Sequence, residues 1–206
     1  MRKSLFLVII MALCLVSFSR AQDEETQPAL NRIDEIRIHV LSSEIDTIQN
    51  DGELRKAYEA ATASPGKNTS GIPFGRVGII RKIVFNPPWY PPDSIRKEYA
   101  LKNKHLPKKV PPGKNNPLGK IKLFISFNEE NSDLGIHNTN NPKSIGKRVT
   151  HGCTRLGEID VFEMARIILE QNYYYADEIF QKAVNNPTKT LVINIDDGPS
   201  VVHLKD

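Results

Sequence analysis

Apolar residues recur along this chain in two rhythms, every second position through most of it and three to four apart near its end. Ile36, Ile38 and Val40 alternate with polar neighbours and predict a half-buried strand. Asn50-Asp51-Gly52 is a turn signal between Ile45–Gln49 and Leu54–Ala60, which predicts a hairpin, although Glu53–Thr62 also scans as a helix. Gly75–Phe85, rich in Val and Ile, predicts a long strand, and Ile121, Leu123, Ile125 and Phe127 place one face of a second strand, 120–127, in the core. Between them, from Pro87 to Pro117, runs an excursion with eight prolines. Proline lacks an amide donor, so this stretch is no interior strand. Only 94–101, opened by Pro92-Asp93, scans as helical there, and a loop this long is a functional lid or disordered.

The rhythm changes at Glu158–Gln171, which predicts a helix with Ile159, Phe162, Ala165 and Leu169 inward and Glu163, Arg166 and Glu170 outward. Tyr173–Val184 continues as a second helix after a break, and 190–195 and 201–204 read as strands. The result is a mostly-β fold with one or two packed helices.

The first residues change the picture of where the chain works. Arg2 and Lys3 precede an apolar run from Leu5 to Val16, with small residues at Ser19 and Ala21, the pattern of a secretory signal peptide ending at residue 21. An uncleaved N-terminal anchor is the alternative. Residues 22–34 are then a polar leader and 35–206 the domain. Removing Arg2, Lys3 and Arg20 from 28 basic residues leaves 25 against 24 acidic ones, so nothing demands nucleic acid as partner. Of the two cysteines, Cys14 leaves with the signal peptide. Cys153 alone remains in an exported protein, without a partner for an internal disulfide.

Candidate chemistry concentrates in 134–156, LGIHNTNNPKSIGKRVTHGCTRL, which holds His137, His151 and Cys153. A thiolate is a nucleophile, and an imidazole can take its proton and later give one to a leaving amine. Two strand ends joined by a turn could bring His137 beside Cys153. Thr150-His151-Gly152-Cys153 offers successive amides that could hold the oxyanion formed when a carbonyl is attacked.

This segment resembles the signature of the L,D-transpeptidase catalytic domain (YkuD-like) family, a histidine followed by Ser/Thr-His-Gly-Cys-x-Arg/Asn. Ile72-Pro73-Phe74-Gly75, the Asn86–Trp89 and Pro91–Ile95 loop, Pro112–Gly119 and Ser144-Ile145-Gly146 match in type and order. The resemblance implies a β-rich sandwich and a peptidoglycan enzyme needing no cofactor or metal. Cys153 would attack the stem-peptide carbonyl before the terminal D-alanine, with His137 as base and acid. The carbonyl near Asn138 would orient His137, and amides of His151, Gly152 and Cys153, beside Thr150, would receive the oxyanion. Arg155, and Trp89 and Tyr90 in the proline-rich loop, would meet substrate. An acceptor amine then resolves the acyl-enzyme. The implied partners are stem peptides and carbapenem-type inhibitors, and the implied setting is the periplasm or cell envelope, as a monomer. Asn138 stands where the family commonly has glycine, Thr154 where it has an apolar residue, and Ile72 where it has threonine. The 173–187 segment is longer than the family's usual link.

Each reading has a blander rival. Cys153 could be a buried inert thiol. Zinc held by His137, His151 and Cys153 would lack a fourth ligand. His151 suits a structural hydrogen bond as well as catalysis, and Trp89 and Tyr90 could simply pack on the sheet. Ten basic or histidine residues against one acid between Arg96 and Lys122 could steer carboxylate-rich peptides or form a solvated loop. His39, His105 and His203 carry no local pattern, and the 68–70 sequon matters only to a glycosylating host. An L,D-carboxypeptidase or other hydrolase on the same stems, a non-catalytic wall-binding module and an exported cysteine protease of another lineage remain the competing functions.

Overall fold

In a computed structural model, residues 32–49, 51–65, 72–127 and 130–205 are described. The signal-peptide pattern, most of the leader, Asn50 and the sequon lie outside them. Residue 33, read as leader, is packed: Ile33 is fully buried, and its backbone amide and carbonyl both bond the Gln171 side chain at 3.1 Å.

Eleven strands and three α-helices are formed among the described residues. They run β1 (Glu35–His39), β2 (Glu44–Ile48), β3 (Leu54–Glu59), β4 (Thr62–Ala63), β5 (Val77–Phe85), α1 (Asp93–Leu101), β6 (Ile121–Phe127) and β7 (Glu130–His137). Then come β8 (Arg148–Thr150), β9 (Thr154–Arg155), α2 (Glu158–Gln171), α3 (Ala176–Asn185), β10 (Leu191–Asn194) and β11 (Ser200–Leu204). The main sheet has the order β3-β2-β1-β11-β5-β6-β7-β9, and β4 pairs β8 apart from it. The mostly-β class with two packed helices therefore holds, and the third helix, α1, buries none of its residues.

The long strand β5 organises the sheet. One edge pairs with β6 throughout, while the other is shared, β11 taking Val77–Ile79 and β10 taking Lys82–Phe85. The link between β10 and β11 crosses that junction, where Ile80 N–H donates to Pro199 O and Ile195 N–H to Arg81 O. Alternation along β1 buries Ile36 and Ile38, and the β2–β3 hairpin closes at Gly52, whose φ of +81° is the left-handed conformation the turn requires.

Helix α2 closes the core, with the predicted Ala165 and Leu169 buried and Phe162 packed on it, but not Ile159. Val161, Met164, Ala165 and Ile168 point inward, and Ile159 is 82% exposed. At 100° per residue, Ile159 lies between Arg166 and Glu170, inside the charged stripe, so its apolarity does not set the helix's phase. Phe162 stacks edge-on against Phe180 of α3 at 5.4 Å, and Phe85 of β5 packs against both. At the far side, Glu163 binds Arg55 and Lys56 of β3, tying the helix across the sheet.

Ile168→Ala is expected to cost about 2–5 kcal/mol by emptying a buried site, whereas Ile159→Lys should change stability by less than about 0.5 kcal/mol. Urea unfolding midpoints of the two variants check the helix's phase.

Candidate active site

The cysteine reaches the histidine through a short parallel pairing. In β7 and β9, Ile136 stands opposite Thr154 and His137 opposite Arg155. Ile136 and Thr154 turn into the core, both almost fully buried. Alternation then sends Cys153 and Arg155 to the opposite face, with His137. On β6 the partner of His137 is Lys122, so Lys122, His137 and Arg155 form one row across three strands. Thr154 replaces an apolar residue of the resembled family without leaving the core.

All three, with Cys153, line a cavity of about 340 Å³. Trp89, Tyr90 and Pro92 of the proline-rich excursion, Thr150 and His151 of the cysteine loop, and Asp133 and Leu134 of β7 complete much of its wall. The excursion is hydrogen-bonded structure: the Asn116 amide donates to the carbonyls of Pro87 and Pro111, and Trp89 and Val110 exchange backbone bonds. Tyr90 carries Lys109 over its ring. Trp89 and Tyr90 thus face the same space as the thiol.

Cys153 is half-buried, and its thiol donates to Asp133 O at 3.3 Å. His137 is 4% exposed, and one ring nitrogen, Nδ1, bonds Asn138 O. The two side chains share the cavity, but their hydrogen bonds go to these carbonyls and none joins them among the described residues. Burial pushes the His137 pKa down to about 3, and the charges of Lys122 and Arg155 act in the same direction, against the Asn138 and Leu118 carbonyls that favour its protonated form. The imidazole is therefore neutral at physiological pH. Asn138 itself is buried, and its Oδ1 accepts the Lys120 N–H at 3.1 Å. The side chain that replaces the family's glycine thus fastens the start of β6, while its carbonyl orients the imidazole.

In the cysteine loop Gly152 has φ +129°, which side chains other than glycine's rarely tolerate. Its amide is engaged by Thr150 Oγ1 at 3.3 Å, so among the three successive amides those of His151 and Cys153 are without an acceptor among the described residues. The His151 ring turns away to Glu98 of α1, its Nε2 at 2.7 Å from the carboxylate. That hydrogen bond ties the excursion to the cysteine loop. Arg155 is backbone-paired with Ala61 in both directions, and its Nε is buried without a hydrogen-bond partner. Burial lowers the Arg155 pKa from its usual value.

Lys122, Asp133 and Glu98 were not distinguished by sequence reasoning, which counted Lys122 only as the end of a basic run. A hairpin of 120–127 with the strand ending at His137 would have set Lys122 opposite His137, and a lysine between Ile121 and Leu123 was the available signal. No group of three or more metal-ligating side chains is present among the described residues. A second, larger cavity of about 570 Å³ lies against Phe85, Phe162 and Val184. It shares no lining residue with the first and holds neither thiol nor imidazole.

A family model described as the L,D-transpeptidase catalytic domain (YkuD) matches residues 35–193. The probable L,D-transpeptidase ErfK/SrfK of Salmonella typhimurium is 40% identical over 75 residues, 36% of this chain and 23% of that protein. The probable L,D-transpeptidase YbiS of Escherichia coli is 33% identical over 110 residues, 53% of this chain and 34% of that protein. The matched segments thus span well under half of these relatives' length. Among solved structures, L,D-transpeptidase 3 from Mycobacterium tuberculosis aligns with a TM-score of 0.44 and 11% identity, over 83% of this chain and 60% of that one.

The buried imidazoles make stability acid-sensitive. The His203 pKa is also lowered, to about 4, by burial. Between these values and 6.5 the unfolded chain binds more protons than the folded one, so stability rises with pH through that window and is lost as pH falls. The melting temperature should drop between pH 7 and pH 4.5. His203→Leu should reduce that drop, and an equal drop in the variant would refute its contribution.

Proposed function

The chain belongs to the L,D-transpeptidase catalytic-domain family, and from that membership we propose that it is a cysteine acyltransferase that cross-links peptidoglycan stem peptides. The observation that carries this reading is the shared cavity of Cys153 and His137, with the imidazole neutral and oriented by the Asn138 carbonyl.

The reaction begins when Cys153 Sγ turns from the Asp133 carbonyl and passes its proton to the free ring nitrogen of His137. Sulfur attacks the carbonyl carbon that precedes the terminal D-alanine, and a C–S bond forms. The oxyanion is met by the unengaged amides of His151 and Cys153, fixed donors that cost no reorganisation. Collapse breaks the C–N bond, and the imidazolium gives its proton to the departing amine, so D-alanine leaves neutral at nitrogen. An acceptor amine then attacks the thioester. The new amide C–N bond forms, the C–S bond breaks, and the amine's proton returns to the thiolate through His137. Water in place of the amine would make the enzyme a carboxypeptidase. Arg155, Trp89 and Tyr90 line the space the donor peptide fills. The substrate lies outside the cytoplasmic membrane, and the apolar run behind Arg2 and Lys3 supports export there.

Incubation with purified stem tetrapeptides should release D-alanine and give cross-linked dimers, whereas shortened monomers alone would assign hydrolysis. A carbapenem, whose strained lactam carbonyl acylates thiolates, should add its mass at Cys153. Cys153→Ala should abolish both reactions with the melting temperature retained, and His137→Ala should lower turnover about 10²–10⁴-fold. Turnover near wild type in Cys153→Ala would overturn the mechanism.

A further inference from the structure

Lys122 stands out among the basic residues of its region. It is 5% exposed, on the central strand β6, and lines the cavity of Cys153. Its Nζ donates to Asp133 O at 2.7 Å, the same oxygen that accepts the Cys153 thiol. Sharing one carbonyl brings the ammonium close beside the sulfur. The ammonium also lies over the Phe124 ring, with Nζ 4.3 Å from its centre. An ammonium has three donors, and the Asp133 carbonyl occupies one.

Two strands away in the same row, Arg155 holds a buried Nε with no partner. Among the described residues neither cation forms an ion pair, although eight other lysines and arginines around the domain do. Taking a charge out of water without a countercharge is unfavourable by several kcal/mol in general. Two such charges flanking one neutral imidazole describe a site that is completed by an anion.

The position of that anion follows from the geometry at sulfur. One peptide residue spans at most about 3.6 Å. A carboxylate held beside an ammonium that shares an acceptor with the nucleophile therefore belongs to the residue immediately after the attacked carbonyl. We propose that Lys122 binds the terminal carboxylate of the leaving residue, and so makes this site select donors that end one residue beyond the scissile bond. The proposal rests on the acyl-transfer reading above and adds the residue that measures donor length. A donor with a further residue, or with its terminus amidated, leaves the buried ammonium unpaired and is disfavoured for that reason. Lys122 does not take part in bond making. It positions the carbonyl over sulfur, and its charge adds to the burial that keeps the neighbouring imidazole neutral.

The test compares the full-length protein on two synthetic donors, a stem tetrapeptide with a free terminal carboxylate and the same peptide as its terminal carboxamide, following release of D-alanine or D-alaninamide. Wild type should prefer the carboxylate about 10- to 100-fold in kcat/KM, the range of one charge-assisted hydrogen bond. In Lys122→Met the preference should fall to within about threefold, mainly through a higher KM for the carboxylate donor. The acid limb of the pH–rate profile should also move to higher pH, because one charge depressing the imidazole is gone. Lys122→Arg should restore part of the preference. The wild-type comparison needs no variant to fold: equal, Cys153-dependent turnover of both donors would overturn the role of Lys122 and leave the acyl-transfer reading intact. Retention of the preference in a folded Lys122→Met would do the same. Failure of wild type to release anything in a Cys153-dependent manner from either donor would overturn both readings.

Discussion

The parallel pairing of β7 with β9 is the constraint on which the site depends. Only two residue pairs are in register, Ile136 with Thr154 and His137 with Arg155. Because strand side chains alternate, that register sends Ile136 and Thr154 to the core and leaves His137, Cys153 and Arg155 on the cavity face. A slip of one residue would bury the thiol and expose Thr154. The pairing is held at both ends by bonds outside the sheet ladder: Arg155 with Ala61 on one side, and Leu156 N–H to His137 O on the other. Leu156, fully buried, then anchors the turn into α2.

From that register the electrostatics of the site follow. A histidine placed between Lys122 and Arg155 on adjacent strands, under 4% exposure, has two reasons to remain uncharged and two backbone carbonyls that oppose them, with burial the largest influence. A neutral imidazole is the form that accepts a proton. Charging it becomes favourable when negative charge arrives nearby, and the proposed acyl transfer would supply this as the thiolate and then the oxyanion. Asn138 contributes through its backbone to the imidazole and through its side chain to Lys120, so one residue couples the orientation of the base to the start of the strand that carries Lys122.

Much of this was legible in the chain. The alternating strands around Ile36, Ile121 and Val201, the hairpin at Gly52 and the limits of α2 follow from local periodicity and turn chemistry, because those elements bury one face and expose the other. The Cys153–His137 pairing was legible through the ordered motif. On α2, Ile159 was misplaced because the helix carries apolar residues around much of its circumference, and the packing of Phe85, Phe162 and Phe180 selects among them. Lys122 escaped notice for a different reason. Strand alternation puts it opposite Ile121 and Leu123, a face that reads as solvent from sequence, and only tertiary structure shows that face roofed by Trp89 and the proline-rich excursion. The hydrogen bond of Glu98 with His151 joins residues 53 positions apart, and no local pattern encodes it.

The roof itself explains why so irregular a segment can form part of a catalytic wall. Proline limits the conformations of the unfolded excursion, which lowers the entropy lost when it is fixed. The same residues remove amide donors, so fewer backbone groups need partners when the segment covers a sheet face. The carbonyls that remain converge on the Asn116 side chain, which is fully buried and bonds Pro87 O and Pro111 O from one amide group while its own oxygen accepts the Leu118 N–H. Glu98 fastens the helical part of the excursion to His151, beside the nucleophile. A wall secured at Asn116 and at Glu98 can exclude water from the buried cations on one side of the cavity while leaving the thiol half-open on the other. That asymmetry suits the proposed acyl transfer, in which the thiol would meet a long peptide from solvent and then hold its acyl group for a second one.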